Sequence, residues 1–336
     1  MIDVVTLGEA MIRLSPPDFK RLEQADHFHA FVGGGELNVA VALSRLGLGS
    51  RWVSKLPENP LGKMIRNKAR EQGVDTDYIL WEDKGRAGIY FMEYGASPRP
   101  SVVLYDRAGS SASQMKKGEF QWEKIFRGAR WFHVSGITAA LSKSCAELTL
   151  EALKMARGCG LITSYDLNYR SKLWSEDTAQ KTQEPLMEYV DVLISTEEDT
   201  QRVFKIKGGG TKVDKENYRI VAKKLMDRFH FKIVCITLRE NMTVWKNNWN
   251  ALVYDGKRYY TDKQYRIEIV DRIGGGDSFS AGFIYGYLST DGDIQYAVKF
   301  GNALAALAHS IPGDFNLSTK EDVERLLKGE GLRIKR

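Results

Sequence analysis

The stretch Gly274-Gly275-Gly276-Asp277-Ser278-Phe279 decides the fold of this chain and suggests its chemistry. It follows a β-type run that ends at Asp271, and it opens an apolar helical stretch. A glycine turn at the start of a helix leaves backbone N–H groups free to bind an anion, and the helix dipole adds to the attraction. Asp277 places a carboxylate beside this turn. An anion cradle with a fixed base suits phosphoryl transfer to a hydroxyl, where positioning and charge stabilisation supply most of the catalysis.

The composition is that of a globular chain large enough to bury a sizeable core, with 336 residues, 43% of them hydrophobic. The formal net charge of +6 is mild for this length. Because no dense Lys/Arg block is interleaved with aromatic residues, we expect no nucleic-acid partner. The N-terminal residues show no basic stretch followed by an apolar one, so we expect no secretory leader, and the sequence has no run of about 18 apolar residues. We therefore expect a cytoplasmic, soluble protein with no membrane partner.

Strand-like runs alternate with amphipathic stretches along most of the chain. This pattern predicts an α/β fold with a doubly wound, mostly parallel sheet and helices on both of its faces. The predicted strands cover residues 3–8, 51–56, 131–136, 161–168, 190–196, 232–238, 243–246 and 265–270. The predicted helices begin near Glu36 and cover 144–158, 216–229, 277–288 and 294–309. A further glycine cluster at 208–210 is interpreted as a flexible loop.

Two segments, 10–32 and 78–107, break this alternation, because they contain strand-like pieces and no helical pattern. In the second segment, strands over 88–94 and 102–106 are joined by a stretch rich in glycine and proline. A β excursion of this kind predicts a small sheet that stands off the main body. Such a sheet could close over an active-site cleft as a lid. An ordinary hairpin insertion is the alternative.

The glycine turn at 274–277 resembles the second signature of the ribokinase-like (PfkB) carbohydrate kinases, which usually reads Asp-Thr-Thr-Gly-Ala-Gly-Asp. Arg272 and Gly275 depart from that pattern without removing the cradle or the base. The stretch Gly33-Gly34-Gly35-Glu36-Leu37-Asn38 resembles the N-terminal signature of the same family. Both signatures occur in order and at family spacing, so the resemblance covers nearly the whole chain. A Rossmann dinucleotide site is excluded, because the first strand is followed by Gly8-Glu9-Ala10-Met11.

The resemblance implies one ribokinase-like kinase domain over residues 1–336, with a lid formed by parts of 10–32 and 78–107. It also implies the catalytic residues: Asp277 as the general base, and Gly274, Gly275 and Gly276 as the backbone donors that hold developing charge. A sugar would approach the other turn at Gly34 and Gly35, where the Asn38 amide offers a donor and an acceptor.

On the nucleotide side, the resemblance implies ATP and Mg²⁺. Ser195 and Glu198 take the places of an Asn-x-x-Glu segment, in which the glutamate holds magnesium through water. Nucleotide contacts are further expected from Thr237, from Arg239, which replaces a usual glycine, from Asn302, and from Gly274 and Gly276. Family members often bind a monovalent cation, K⁺, near the backbone around Asp271.

The acceptor is suggested by segments that resemble those of the 2-keto-3-deoxygluconate kinases within the family. Tyr105-Asp106-Arg107 looks like their Tyr-x-Arg segment, and Asp166-Leu167-Asn168-Tyr169-Arg170 looks like their Asp-x-Asn-x-Arg segment. Arginines bind carboxylates bidentately, so Arg107 and Arg170 suit an acidic sugar, as does Arg13 near the first strand. Tyr90 would add an apolar wall.

The resemblance therefore implies ATP-dependent phosphorylation of 2-keto-3-deoxy-D-gluconate at its C6 hydroxyl. A neutral-sugar kinase of the fructokinase or ribokinase type is the first alternative, and a catalytically inactive sugar-binding protein is the second. The lid further implies a homodimer formed through it, because pairing would protect the open edges of the lid.

Overall fold

The computed structural model describes residues 1–209 and 215–330, and its main feature is a large, mostly parallel sheet. The strands of this sheet are β1 (Val4–Leu7), β4 (Ser50–Val53), β9 (Trp131–Ser135), β10 (Ile162–Asp166), β11 (Val192–Ser195), β12 (Ile233–Thr243), β13 (Lys246–Tyr254), β14 (Tyr259–Thr261) and β15 (Tyr265–Glu268). Their order is β14-β13-β12-β11-β10-β9-β1-β4, and β15 also pairs with β13. The neighbouring strands β4, β1, β9, β10, β11 and β12 run parallel, whereas β13, β14 and β15 pair in antiparallel fashion.

The central strands are short apolar runs because helices cover them on both faces. In β11, Leu193 packs into the hydrophobic cluster on one face, and Val192 and Ile194 pack into the cluster on the other. The helices of the described residues are α1 (Gly35–Arg45), α2 (Pro60–Glu71), α3 (Trp122–Ile125), α4 (Gly136–Ala140), α5 (Lys143–Gly158), α6 (Glu176–Gln183), α7 (Glu197–Phe204), α8 (Lys215–Phe229), α9 (Gly275–Ser289), α10 (Ile294–Ala308) and α11 (Lys320–Lys328). The predicted doubly wound α/β class is confirmed.

A second sheet stands apart from the first and contains β2 (Met11–Ser15), β3 (His29–Gly33), β7 (Gly88–Glu93) and β8 (Val102–Asp106), in the order β3-β2-β7-β8. These strands come from the two segments that break the helix–strand alternation, so the predicted separate small sheet is present. Part of the second segment lies elsewhere, because β6 (Leu80–Glu82) pairs with β5 (Lys55–Pro57) in a two-stranded sheet.

One predicted strand needs correction, and some elements were not predicted. The strand predicted over 243–246 is wrong: Val244 and Trp245 form the turn between β12 and β13, because the long antiparallel pairing of those strands overrides a local preference for extended structure. Helix α2 and strands β13 and β14 are additions that the sequence pattern does not predict. Gly210, in the cluster at 208–210, lies outside the described residues. No helix among the described residues has both the length and the apolar content needed to cross a bilayer.

Candidate active site

A cavity of about 870 Å³ lies between the two sheets and collects most of the predicted site residues. The carboxyl ends of β10 and β11 reach it through Asp166 and Ser195, and β12 reaches it through Thr237, just after its pairing with β11 ends. The small sheet contributes Tyr90 and Tyr105 from the other side. In open α/β sheets, ligands bind at this carboxyl edge. The position of the cavity is therefore that of an active site covered by the small sheet.

The glycine turn that precedes α9 forms one wall of this cavity. Gly274 is the N-cap and has a left-handed backbone with φ of 78°. A Cβ atom on Gly274 would lie 2.5 Å from the Asp314 carbonyl oxygen, and one on Gly275 would lie 2.5 Å from Cε1 of His309. A Cβ atom on Gly276 would meet no other described atom within 4 Å. The first N–H groups of α9 have no partner within the helix, so this wall is suited to binding an anion.

Asp277, in the first turn of α9, is held against the other glycine turn. Asn38 Nδ2 donates to Asp277 Oδ2 at 2.7 Å, and Asn38 Oδ1 accepts from Gly34 N at 3.2 Å. A Cβ atom on Gly35 would lie 3.6 Å from Asp277 Oδ1. Burial raises the pKa of Asp277 to about 6, although the bond from Asn38 lowers it. A carboxylate with this pKa is mostly ionised at neutral pH and can accept a proton there.

The two predicted carboxylate-binding arginines line the cavity in different electrostatic states. Arg107 is nearly buried and forms an ion pair with Glu9, to which its Nε donates at 2.8 Å. Arg170 is exposed to the cavity, and its Nη1 donates to the Tyr169 carbonyl at 3.0 Å. No ion pair involves Arg170 within the part of the chain that the structure describes. Arg170 therefore has the charge more available to a ligand.

Lys172 adds a third positive charge to this part of the cavity, and the sequence patterns do not single it out. Its Nζ donates to the Val103 carbonyl of β8 at 2.7 Å and lies 5.7 Å from the Tyr105 ring centroid. The bond connects the loop after β10 with the far strand of the small sheet. Only one residue, Ser171, lies between Arg170 and Lys172, but a lone lysine in a loop gives no signal of its own.

The prediction that Arg13 contacts substrate is wrong. Its side chain is fully buried outside the cavity lining, and it forms ion pairs with Asp271 at 2.5 Å and Asp314 at 3.0 Å. Tyr90 does line the cavity, as predicted, and its hydroxyl donates to Asp314. Arg13 therefore lies behind the cavity wall, where it holds the wall in place.

On the nucleotide side, Ser195, Thr237 and Arg239 line the cavity, whereas Asn302 does not. Thr237 Oγ1 donates to the Ser195 carbonyl at 3.4 Å, and the Arg239 guanidinium lies 5.6 Å from the Trp249 ring centroid. Asn302 is fully buried, and its Oδ1 accepts from Trp249 Nε1 at 3.2 Å. The prediction that Asn302 contacts the nucleotide directly is therefore wrong. Asn302 instead supports Trp249, the side chain against which Arg239 lies.

The acidic residues at the start of α7 differ in which way they face. The Glu198 side chain is 71% exposed and pairs with Arg202 at 2.6 Å. Its neighbour Asp199 is half-buried at the cavity, and burial raises its pKa to about 6 against the opposing effect of Arg170. Thr196 caps the helix by accepting from Asp199 N at 3.0 Å. This cap, visible as a threonine followed three residues later by an acid, could have pointed to Asp199.

Magnesium could be held here by few protein groups. Burial, and after it the carboxylates of Asp277 and Asp199, raises the pKa of Asp166 well above its usual value. Within the described residues, no cluster of three or more His, Cys, Asp or Glu side chains is arranged to hold a metal ion. Mg²⁺ usually keeps several waters and takes one or two carboxylates plus substrate phosphates. The oxygen groups of Asp199 and Glu198 fit that mode of binding.

The known proteins that this chain resembles are carbohydrate kinases, and the similarity extends over nearly the whole chain. Residues 1–320 match the family model of the pfkB family carbohydrate kinases. The crystal structure of 2-dehydro-3-deoxygluconokinase from Thermotoga maritima is 46% identical, covers 98% of both chains and has a TM-score of 0.93. The 2-dehydro-3-deoxygalactonokinase of Haloferax volcanii is 38% identical over 97% of this chain and 97% of its own. A putative ribokinase II from E. coli, in complex with ATP and Mg²⁺, covers 98% of this chain and 100% of its own with a TM-score of 0.83; at 18% identity it shares the fold.

Proposed function

Because the chain belongs to the pfkB family of carbohydrate kinases, as its two glycine signatures predict, we propose that it phosphorylates 2-keto-3-deoxy-D-gluconate at the C6 hydroxyl with ATP. The product is 2-keto-3-deoxy-6-phosphogluconate. The observation that carries this proposal is the 2.7 Å contact between Asn38 and Asp277, which unites the sugar-facing turn and the base in one cavity. The name of the relative from Thermotoga maritima supports the choice of acceptor.

In the proposed reaction, Asp277 accepts the proton of the C6 hydroxyl while that oxygen forms a bond to the γ-phosphorus. The bond between the γ-phosphorus and the bridging oxygen breaks, and ADP leaves. The N–H groups of Gly274, Gly275 and Gly276 stabilise the charge that develops on the transferred group. Magnesium, when bound to the phosphates, would neutralise part of that charge, and Asp199 with Glu198 would hold its waters.

The acid group of the substrate is assigned mainly to Arg170. Arg107 is already neutralised by Glu9, so its charge acts on a ligand only weakly. Arg170 has a guanidinium that faces the cavity and can bind a carboxylate with two parallel bonds. Tyr105 and Lys172 stand beside it at the small sheet.

A second candidate acceptor is 2-keto-3-deoxy-D-galactonate, which differs from the first in its configuration at C4. The 38% identity with the 2-dehydro-3-deoxygalactonokinase of Haloferax volcanii favours it as an additional substrate. The neutral-sugar kinase and the inactive sugar-binding protein remain alternatives. The ionised Asp277 beside an open glycine turn disfavours the inactive protein.

We further propose one kinase domain over residues 1–336, a lid role for the small sheet and a cytoplasmic location. A homodimer through the small sheet is supported by the exposed apolar side chains of β8, since Val102 is 46% and Leu104 is 54% exposed. The prediction of a K⁺ site near Asp271 has no support from the comparisons, and Arg13 already pairs with that carboxylate.

The test is a panel of acceptors with coupled detection of ADP. We expect turnover with the two 2-keto-3-deoxy sugar acids and far less with fructose or ribose. Arg170→Ala should reduce kcat/KM for the sugar acid by about tenfold or more, the loss expected for a charge-assisted bond. Arg70→Ala, an exposed arginine at the end of α2, is the matched control. Equal activity on fructose and on the sugar acids would contradict the proposed acceptor.

A further inference from the structure

Arg13 lies at the junction between the small sheet and the phosphoryl-transfer turn. It belongs to β2, and its guanidinium reaches the strand end and the loop that flank the glycine turn. Its Nη2 donates to Asp271 Oδ2 at 2.5 Å and to the Tyr94 hydroxyl at 2.7 Å. Its Nη1 lies 3.0 Å from Asp314 Oδ2 as an ion pair. The guanidinium also lies 4.5 Å from the ring centroid of Phe31, which covers it.

This arrangement leaves no room for a monovalent cation on the Asp271 carboxylate. Besides Arg13, Oδ2 accepts from the Tyr94 hydroxyl at 2.7 Å and from Gly313 N at 3.0 Å. Oδ1 accepts from Ile273 N at 3.1 Å. The side chain is 0% exposed. Potassium would have to displace a guanidinium that already makes a charge-assisted bond, so the side chains here do not fit the predicted K⁺ site.

The protein itself supplies the positive charge of this cluster. Two carboxylates, Asp271 and Asp314, face one guanidinium. Burial raises the pKa of Asp314, although Arg13 opposes this. Burial also opposes the charged form of Arg13, but the two carboxylates outweigh it and raise its pKa above the usual value. One fixed positive charge thus serves both carboxylates.

We propose that Arg13 is a built-in cation that replaces a dissociable monovalent cation in forming the phosphoryl-transfer turn. Its two ion pairs fix Asp271 before the glycine turn and Asp314 beneath it. The turn is then preformed whatever salt is present. Neither folding nor phosphoryl transfer should therefore respond specifically to K⁺. The part that concerns transfer depends on the proposed kinase function, whereas the part that concerns folding does not.

The first test measures the thermal unfolding midpoint and the rate of ADP formation in KCl, NaCl and choline chloride at equal ionic strength. A cation that binds the native state raises its unfolding midpoint. We expect equal midpoints and equal rates in the three salts. A higher midpoint in KCl alone, or a rate that rises about tenfold with K⁺, would overturn the proposal. If no sugar is phosphorylated in any salt, the kinase function fails, and the unfolding midpoints still decide the role of Arg13.

The second test replaces the cation. Arg13→Gln leaves Asp271 buried without a counter-charge, so we expect a lower midpoint that KCl restores more than choline chloride does. Arg51→Gln, which breaks a partly buried ion pair with Asp75 away from the cavity, should lower the midpoint equally in both salts. A midpoint for Arg13→Gln equal to that of the native chain would contradict the proposal. If Arg13→Gln does not fold, the salt series on the native chain decides alone.

Discussion

Replacing Asn38 by alanine should move the acidic limb of the pH–rate profile, because Asn38 sets part of the pKa of the base. Burial raises the pKa of Asp277 to about 6, and the bond that Asn38 donates opposes this rise. The bond joins Nδ2 to Oδ2 at 2.7 Å and favours the ionised carboxylate. Without it, the pKa of Asp277 rises further, so that activity requires a higher pH.

The size of the shift follows from the strength of the bond. A hydrogen bond to a charged group contributes about 1.5–3 kcal/mol, and one pKa unit corresponds to about 1.4 kcal/mol. The pKa of Asp277 should therefore rise by at most about two units when the bond is lost. Because water can enter the cavity and partly replace the amide, we expect a rise of about one unit. The acidic limb of kcat/KM should move from about pH 6 to about pH 7.

The assay is ADP formation as a function of pH, analysed for the position of the limb and separately for the height of the plateau. If Asn38 also binds the sugar, the Asn38→Ala substitution lowers the plateau as well. The position of the limb depends only on the pKa of the base. Asn59→Ala is the matched control, because Asn59 caps α2 and does not line the cavity. A limb that stays at about pH 6 in Asn38→Ala would refute the role of this bond.

Three further predictions concern the turn and the metal. Asp277→Asn should lower turnover by about 10²–10⁴, the contribution of a general base, while a thermal scan shows a folded protein; near-normal turnover would remove Asp277 from that role. Asp199→Asn should raise the Mg²⁺ concentration for half-maximal activity by about tenfold. Glu198→Gln should have a smaller effect, because the Glu198 side chain is mostly exposed, and the reverse order would make Glu198 the main group that holds the waters of the magnesium. Gly275→Ala should lower the free energy of unfolding by about 1–3 kcal/mol, because the added methyl group clashes with His309. Gly276→Ala meets no such neighbour, so it should leave the unfolding midpoint unchanged and raise KM for ATP.

The sequence predicts the parts of this structure that depend on local patterns. Buried parallel strands such as Val192-Leu193-Ile194 must be apolar throughout, and the glycine turns need residues without a side chain, so both leave a clear pattern. The turn that carries Gly274 and the turn that carries Asn38 could be assigned to one site through their family resemblance. Their direct contact, across 239 residues of sequence, is visible only in the structure.

The errors concern side chains whose role depends on distant partners. Arg13 is as suitable for a substrate carboxylate as for a protein one, and only the fold brings Asp271, 258 residues away, against it. Arg107 is likewise neutralised by Glu9, 98 residues away. The role of Glu198 at magnesium stays a prediction, and the structure adds Asp199 beside it: one residue along a helix turns the side chain by about 100°, which separates the exposed Glu198 from the half-buried Asp199.

The bond from Lys172 to Val103 has a consequence for how substrate enters. At one end, the small sheet is fastened to the main body by the buried ion pairs of Arg13. At the other end, within the part of the chain that the structure describes, β8 is joined to the opposite wall by one solvent-exposed side-chain hydrogen bond, from Lys172. Breaking that bond costs only about 0.5–1.5 kcal/mol, whereas breaking a buried ion pair costs about 3–5 kcal/mol. We therefore expect any opening of the small sheet to begin on the side of β8, at Lys172, while the side held by Arg13 stays in contact with the main body.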